Sequence, residues 1–160
     1  MTRSEFIATA TAAAQAASAV SGFPPGVTVA QAALESAWGQ SQLARLAHNY
    51  FGIKAHGDLP WIELPTTEVQ GGAAVKMRAY FARYESIEAC FADRDRLLAR
   101  LAVYAEARAA ARDPEAFLRA LARHWATDPD YAQKLLTLYR EHGFDKLDQA
   151  FSTQRSALSH

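Results

Sequence analysis

Residues 30–39 have the sequence Ala-Gln-Ala-Ala-Leu-Glu-Ser-Ala-Trp-Gly, and this stretch decides the fold. Its small apolar residues recur at helical spacing, which predicts a helix that packs deep in the molecule. We expect a capping box over residues 28–31 to start this helix and Gly39 to end it. Glu35 is its one carboxylate, and Trp38, three positions further, is expected on the same side. An indole there would desolvate the carboxyl group and keep it protonated, as a general acid requires.

The alternative for Glu35 is a solvated helix glutamate, since most glutamates lie on the surface.

The 160 residues suit a single domain. Seventeen basic and seventeen acidic residues leave no net charge, which disfavours a nucleic-acid partner. No run approaches the roughly 20 apolar residues that span a bilayer, and no signal-peptide pattern is visible, so no membrane anchor is predicted.

Cysteine and histidine placement argues against cofactor chemistry. Cys90 is the single cysteine, so an internal disulfide is excluded, and its position on an apolar helix face predicts a core residue. The five histidines show no paired metal-ligand spacing, and no serine-hydrolase elbow or phosphate-binding glycine loop is present. We therefore predict neither a metal site nor a cofactor.

Patterns on both sides of residues 30–39 predict helices that flank a β-hairpin. Thr2 and Glu5 have capping-box spacing, and the alanine-rich helix that follows is expected to run to about Val20. Residues 41–47 form a short helical piece and residues 48–54 a loop. Alternating residues around Gly71-Gly72 predict a hairpin over residues 61–81.

The second half of the chain is predicted to be helical. Ser86 caps a long helix, and Asp113 and Asp128, each followed by proline, start two more. Residues 1–150 are predicted to form the domain. Residues 151–160 lack a clear apolar period and are predicted to be a flexible tail.

Four blocks of sequence occur in an order that covers nearly the whole chain. They are AQAALESAWGQS (30–41) with NYFGIK (49–54), TTEVQG (66–71), FARYES (81–86) and WATDPDYAQKL (125–135). Together they resemble the peptidoglycan N-acetylglucosaminidases of glycoside hydrolase family 73, which includes bacterial autolysins and the hydrolase domain of flagellar rod proteins.

The resemblance implies an α+β, lysozyme-like fold, in which a mainly helical lobe and a small β-hairpin lobe enclose a glycan groove. It implies a glycoside hydrolase, an endo-β-N-acetylglucosaminidase, with peptidoglycan glycan strands as its substrate. Glu35 would be the general acid that cleaves the β-1,4 bond between N-acetylglucosamine and N-acetylmuramic acid.

Glu68 matches the family's second carboxylate and is interpreted as the general base. Glu63 lies on the same hairpin and is the competing candidate, although it lacks the Thr-Thr-Glu context. The N-acetyl group of the substrate is the alternative to both carboxylates, because it can act as the nucleophile. The sequence leaves these routes open.

Four further residues match family positions. Tyr131 would face the cleft, as a hydrogen-bond donor to the N-acetyl group or a stabiliser of developing charge. Asn49 would orient the acid or the sugar, while Phe51 would wall the groove or belong to the core. Trp125, where the family often has tyrosine, would stack on a sugar or pack in the core.

Two other functions are compatible with the resemblance. A lytic transglycosylase needs one catalytic glutamate and forms an anhydro sugar without water, so Glu68 favours hydrolysis. A non-catalytic glycan-binding or assembly module is the other. Whichever function applies, the protein is expected to act on the bacterial cell wall, in the periplasm or outside the cell, and to be delivered by phage lysis, a secretion system or a flagellar-type export apparatus.

Overall fold

The computed structural model describes residues 1–158, which form eight α-helices, one 3₁₀ turn and one antiparallel sheet of two strands. In chain order these are α1 (Arg3–Ser21), α2 (Pro25–Ser36), α3 (Gln42–Ala47), β1 (Trp61–Gln70), β2 (Ala73–Ala82), α4 (Ile87–Arg100), the 3₁₀ turn (Ala102–Tyr104), α5 (Ala105–Ala109), α6 (Pro114–Trp125), α7 (Tyr131–Glu141) and α8 (Asp145–Leu158).

Three helices begin at the side-chain caps predicted for them. In α1 the Glu5 amide donates to the Thr2 hydroxyl at 3.1 Å, and the Thr2 amide donates to the Glu5 carboxylate at 2.8 Å. Ser86 caps α4 and Asp113 caps α6, each accepting from an amide three residues on. Local hydrogen bonds of this kind depend only on spacing, so the pattern was sufficient to predict them.

Helix α2 begins three residues before the predicted capping box, at Pro25. Its N-cap, Pro24, has no side chain that can accept a hydrogen bond. The carboxylate of Asp148, on α8, accepts instead from the Gly26 amide at 2.6 Å. A residue 122 positions away therefore caps the helix, which no local pattern can indicate.

Helix α7 also differs from its prediction. Asp128 is not its N-cap; the helix begins at Tyr131, and the Asp128 carboxylate accepts from the Asp130 amide at 2.8 Å and pairs with Lys134 at 2.6 Å. Asp128 therefore shapes a turn before the helix rather than capping it.

The predicted flexible tail from residue 151 is helical as far as Leu158, because α8 continues through it. Asp148 is the only buried residue of α8, and Leu147 packs against the core only partly buried, so the apolar pattern of this helix is weak. Arg155 donates to the carbonyl oxygen of Gly22 at 2.9 Å, which ties this segment to the end of α1. Residues 159 and 160 lie outside the described part.

The β-hairpin has the predicted position and turn. Gly71 and Gly72 have φ angles of 57° and 80°, the left-handed conformation that a two-residue hairpin turn requires. The strand register separates the residues into two faces. The inner face carries Ile62, Leu64, Thr66, Glu68, Val75, Met77, Ala79 and Phe81, and the outer face carries Trp61, Glu63, Arg78 and Tyr80.

The helices enclose one hydrophobic core, and α2 lies at its centre with ten of its twelve residues buried. Cys90 is fully buried in this core, as predicted. The loop before β1 joins the core to the hairpin: the Ala82 amide donates to the Ile53 carbonyl at 3.0 Å, and the Ala55 amide to the Tyr80 carbonyl at 2.9 Å. This loop and the last turn of α2 carry the candidate site.

Candidate active site

Glu35 lies in the last turn of α2 and is partly buried. Desolvation raises the pKa of its carboxyl group, while the hydroxyl group of Tyr131 opposes that rise. The carboxylate also adjoins the backbone at Gly52, where a Cβ atom would lie 3.8 Å from Glu35 Oε2. A carboxyl group that retains its proton to higher pH than usual can act as a general acid.

Trp38 does not lie on helix α2, contrary to the prediction. Helix α2 ends at Ser36, and Ala37 and Trp38 both adopt positive φ, 49° and 58°, so the helical spacing does not reach the indole. The ring instead packs against Phe6 and His142, with centroid distances of 5.9 and 4.7 Å. Tyr131, from α7, is the side chain identified as perturbing the pKa of Glu35, and it acts against the effect of burial.

Asn49 shapes the loop that passes Glu35. Its amide nitrogen donates to the carbonyl oxygens of Ile53 and Ala82, both at 2.9 Å, and its oxygen accepts from the Phe51 and Ile53 amides. The side chain is 1% exposed, and its amide group is occupied by these backbone partners in this structure. It holds the turn in which Gly52, with φ 69°, approaches the acid.

Phe51 is a core residue, which resolves the two alternatives predicted for it. It is 1% exposed, and its ring centroid lies 4.8 Å from that of Phe91. Trp125 is only partly buried. Its indole N–H donates to the Phe51 carbonyl at 3.3 Å, which fixes the ring beside the loop.

Trp125 and Gly52 line one cavity of about 410 Å³, together with Lys54, His56 and Tyr104. The indole is thus accessible to a ligand on one side and packed on the other. Aromatic walls of this kind suit the apolar faces of sugar rings. The structure is consistent with the predicted substrate contact for Trp125.

Tyr131, the first residue of α7, is a buried neighbour of Glu35. It is 4% exposed, and burial together with the neighbouring Glu35 carboxyl raises the pKa of its phenol well above 10. Among residues 1–158 its hydroxyl has no partner in hydrogen-bonding geometry, although Glu35 and Gln31 are both close enough to influence that pKa. A direct contact with an N-acetyl group is therefore not available in this structure.

The two hairpin carboxylates occupy opposite faces. Glu68 is on the inner face, where Lys54 donates to it at 2.8 Å, and the Lys54 ammonium also lies 4.5 Å from the centre of the Phe81 ring. Glu63 is on the outer face and pairs with Arg78 at 2.5 Å. Lys54 lines the same cavity as Gly52. The ion pair with Lys54 therefore links Glu68, and not Glu63, to a residue of that cavity.

Sequence reasoning assigned no role to Lys54, Gln31 or Arg94. Lys54 and Gln31 lie within the family blocks, but their importance depends on partners 14 and 63 residues away. Arg94 could have been found only as a charge on the apolar face of α4, where it is fully buried.

Within residues 1–158, no group of three His, Cys, Asp or Glu side chains is arranged to hold a metal ion. None of the described helices combines the length and hydropathy needed to cross a membrane.

Comparison with known proteins places this chain in a family. A family model described as mannosyl-glycoprotein endo-beta-N-acetylglucosaminidase matches residues 11–144. Peptidoglycan hydrolase FlgJ of Escherichia coli (strain K12) is 39% identical over 142 residues, 85% of this chain and 45% of FlgJ. Exo-glucosaminidase LytG of Bacillus subtilis (strain 168) is 32% identical over 82% of this chain and 49% of LytG. The chain spans about half the length of these relatives.

Solved structures show the same architecture. A peptidoglycan hydrolase mutant from Sphingomonas sp. A1 superposes with a TM-score of 0.78 at 31% identity, covering 89% of this chain and 96% of that one. A truncated glycoside hydrolase domain of Salmonella typhimurium FlgJ gives 0.70 at 38% identity, covering 88% and 97%. These matches confirm the predicted lysozyme-like α+β fold. The chain belongs to the glucosaminidase family, glycoside hydrolase family 73.

Proposed function

We propose that this protein is a peptidoglycan hydrolase that cleaves the β-1,4 bond between N-acetylglucosamine and N-acetylmuramic acid, with Glu35 as the general acid. The observation that carries the proposal is the desolvated Glu35 carboxyl group beside Gly52, because Gly52 and Trp125 line one cavity. The relatives named peptidoglycan hydrolase and exo-glucosaminidase support the substrate class.

In the first step Glu35 gives its proton to the bridging oxygen as the bond from that oxygen to the anomeric carbon breaks. Positive charge then develops on the N-acetylglucosamine ring, while Glu35 becomes a carboxylate. General acid catalysis of this kind contributes roughly 10²–10⁴-fold to the rate. Desolvation suits the task because it favours the protonated carboxyl group before the reaction.

Glu68 is the proposed general base, which would take a proton from the water that attacks the anomeric carbon. Its inner-face position and its ion pair with Lys54 support this choice over Glu63, which faces the other way. In the substrate-assisted alternative, the N-acetyl oxygen attacks first and water opens the resulting ring. Tyr131 supports the acid in either route.

Variants of the three carboxylates test the assignment. We expect Glu35→Gln to reduce turbidity loss of purified sacculi at least 100-fold at unchanged thermal stability, since an amide cannot donate the proton. Glu68→Gln and Glu63→Gln form a matched pair on opposite faces of one strand, and only Glu68→Gln should reduce the rate. Equal activity of Glu35→Gln and the natural protein would refute the proposal.

The products distinguish hydrolysis from its alternatives. Mass spectrometry of the released muropeptides should show hydrated fragments with N-acetylglucosamine at the reducing end. Fragments lighter by one water and ending in anhydro-muramic acid would identify a lytic transglycosylase. Sacculi that bind the natural protein without releasing any fragment would identify a non-catalytic module.

The proposed site of action is the cell wall, in the periplasm or outside the cell, with delivery by a lytic, secretory or flagellar-type apparatus. Names of the relatives support wall action. We assign the activity to residues 1–150, which contain every proposed site residue, and the helical segment that follows packs on this domain through Arg155.

A further inference from the structure

Arg94 is a fully buried cation on α4. Its guanidinium donates to Gln31 Oε1 at 3.0 Å, to the Thr28 hydroxyl at 2.8 Å and to Asp95 at 2.8 Å. The Asp95 carboxylate balances its charge and is itself held by the Ser21 hydroxyl at 2.7 Å. A buried charge with this many partners holds one geometry.

The pairing with Arg94 determines which way the Gln31 amide points. A guanidinium has only donors, so Gln31 must present its oxygen to Arg94, and its NH₂ group must point away. Gln31 is fully buried in α2, one helical turn before Glu35. The other group near this amide is the Tyr131 hydroxyl, whose pKa it influences.

Three buried polar atoms within residues 1–158 lack a hydrogen-bond partner in this one region: Gln31 Nε2, Tyr131 Oη and one terminal nitrogen of Arg94. Buried polar atoms are normally paired, and a cluster of unpaired ones at a candidate active site points to a function. The first two are complementary, because an amide N–H can donate to a phenol oxygen. That oxygen then has its own proton free for Glu35.

We propose that Arg94 and Gln31 are positioning residues that orient the Tyr131 hydroxyl as a hydrogen-bond donor to Glu35. Each hydrogen bond in this chain then points toward Glu35: Arg94 donates to Gln31, Gln31 donates to Tyr131, and Tyr131 donates to Glu35. This inference rests on the proposed function, in which Glu35 is the acid.

The direction matters because Glu35 changes charge during the reaction. Once its proton has left, the carboxylate accepts from Tyr131, and this hydrogen bond stabilises the product of proton transfer. A phenol that donated elsewhere would leave that anion unsupported in a desolvated site. Tyr131, from α7, is the titratable group facing Glu35; Arg94, from α4, acts on Tyr131.

A double-mutant cycle tests the arrangement on sacculi. Gln31→Met keeps the side-chain length and removes the amide, and Tyr131→Phe removes the hydroxyl. We expect Gln31→Met to lower kcat about tenfold, as for loss of one hydrogen bond to a charged group. In the Tyr131→Phe background the same change should cost less than about twofold, because its effect passes through the missing hydroxyl.

A second variant guards against a loss of folding. Gln31→Glu retains an acceptor for Arg94, so we expect its melting temperature to match the natural protein. The new carboxylate would accept from Tyr131 and turn that hydroxyl away from Glu35. We expect kcat to fall at least tenfold, with little further loss on adding Tyr131→Phe.

The pH profile of activity is a separate test, because a substitution that only weakened the fold would leave the profile unchanged. Since the Tyr131 hydroxyl lowers the pKa of Glu35, turning that hydroxyl away in Gln31→Met should move the alkaline limb of kcat/KM to higher pH. Additive losses in the cycle, or an unmoved limb, would overturn the proposal. Failure of the proposed function itself is separate, because it would show as full activity of Glu35→Gln.

Discussion

Replacing Asp148 with asparagine should change how the stability of the protein depends on pH. Asp148 is 3% exposed, accepts from the Gly26 amide at 2.6 Å and accepts from the Tyr139 hydroxyl at 2.7 Å. Asparagine has nearly the same shape; its oxygen can keep the Gly26 contact, and the Tyr139 hydroxyl can rotate to accept from its NH₂ group. The substitution therefore removes the charge while it preserves the connection between α8 and α2.

The magnitude follows from the pKa of Asp148. Burial raises this pKa from 3.8 to about 6, even though the hydrogen bonds from Tyr139, Gly26 and Val27 favour the carboxylate. As pH rises, the unfolded chain loses this proton near pH 4 and the folded chain only near pH 6. Stability therefore falls between these values, by about 3 kcal/mol in total at about 1.4 kcal/mol per pKa unit.

Urea unfolding at pH values from 3.5 to 7.5 measures the effect. Asp148→Asn should gain stability relative to the natural protein as pH rises, by about 3 kcal/mol across the range, a large part of the 5–15 kcal/mol typical of a domain. Asp58→Asn, which removes an exposed carboxylate, is the matched control and should follow the natural protein. Parallel curves for Asp148→Asn and the natural protein would refute the reasoning.

Three further predictions concern small residues and the thiol. Gly26→Ala should cost about 3 kcal/mol or more in urea unfolding, because its Cβ would collide with a backbone carbonyl oxygen; Gly57→Ala, in open space at φ 57°, should cost only about 1 kcal/mol. Gly52→Ala should cost about as much stability as Gly57→Ala, but of the two only Gly52→Ala should slow sacculus lysis, because its methyl group would contact the Glu35 carboxyl. Equal lysis rates for the two variants would contradict the proposed place of Gly52. Cys90 is fully buried and its pKa is raised to about 12 by desolvation, so a disulfide reagent at pH 8 should label the unfolded protein and leave the folded protein unlabelled over the same time.

Local signals predicted much of the secondary structure. The caps of α1, α4 and α6 and the Gly71-Gly72 turn each depend on residues within three or four positions of one another. Where a distant residue replaces the local signal, the prediction was wrong. Asp148 caps α2 from α8, and α8 itself buries this carboxylate fully and its apolar Leu147 only in part.

Residues 30–54 and the order of the four blocks were sufficient to predict the family, the fold class and Glu35 as the residue with an acid's environment. They also favoured Glu68 over Glu63. In the structure the two carboxylates lie on opposite faces of the hairpin, with Glu68 on the inner face. The position of Trp38 on helix α2 was predicted incorrectly, since the helix ends at Ser36 and two residues with positive φ follow. Backbone conformation at such positions is not encoded by helical spacing.

Tertiary structure alone decided which polar groups meet. Asn49 is satisfied by backbone groups of its own loop and of β2, Tyr131 is a buried neighbour of the acid, and Lys54 pairs with Glu68. Arg94 reaches Gln31 across 63 residues of sequence. A sequence specifies side-chain chemistry and short-range spacing, but the direction of a hydrogen bond between helices depends on how those helices pack. The chemical type of each proposed site residue could therefore be predicted from the sequence, whereas its orientation is defined only in the folded protein.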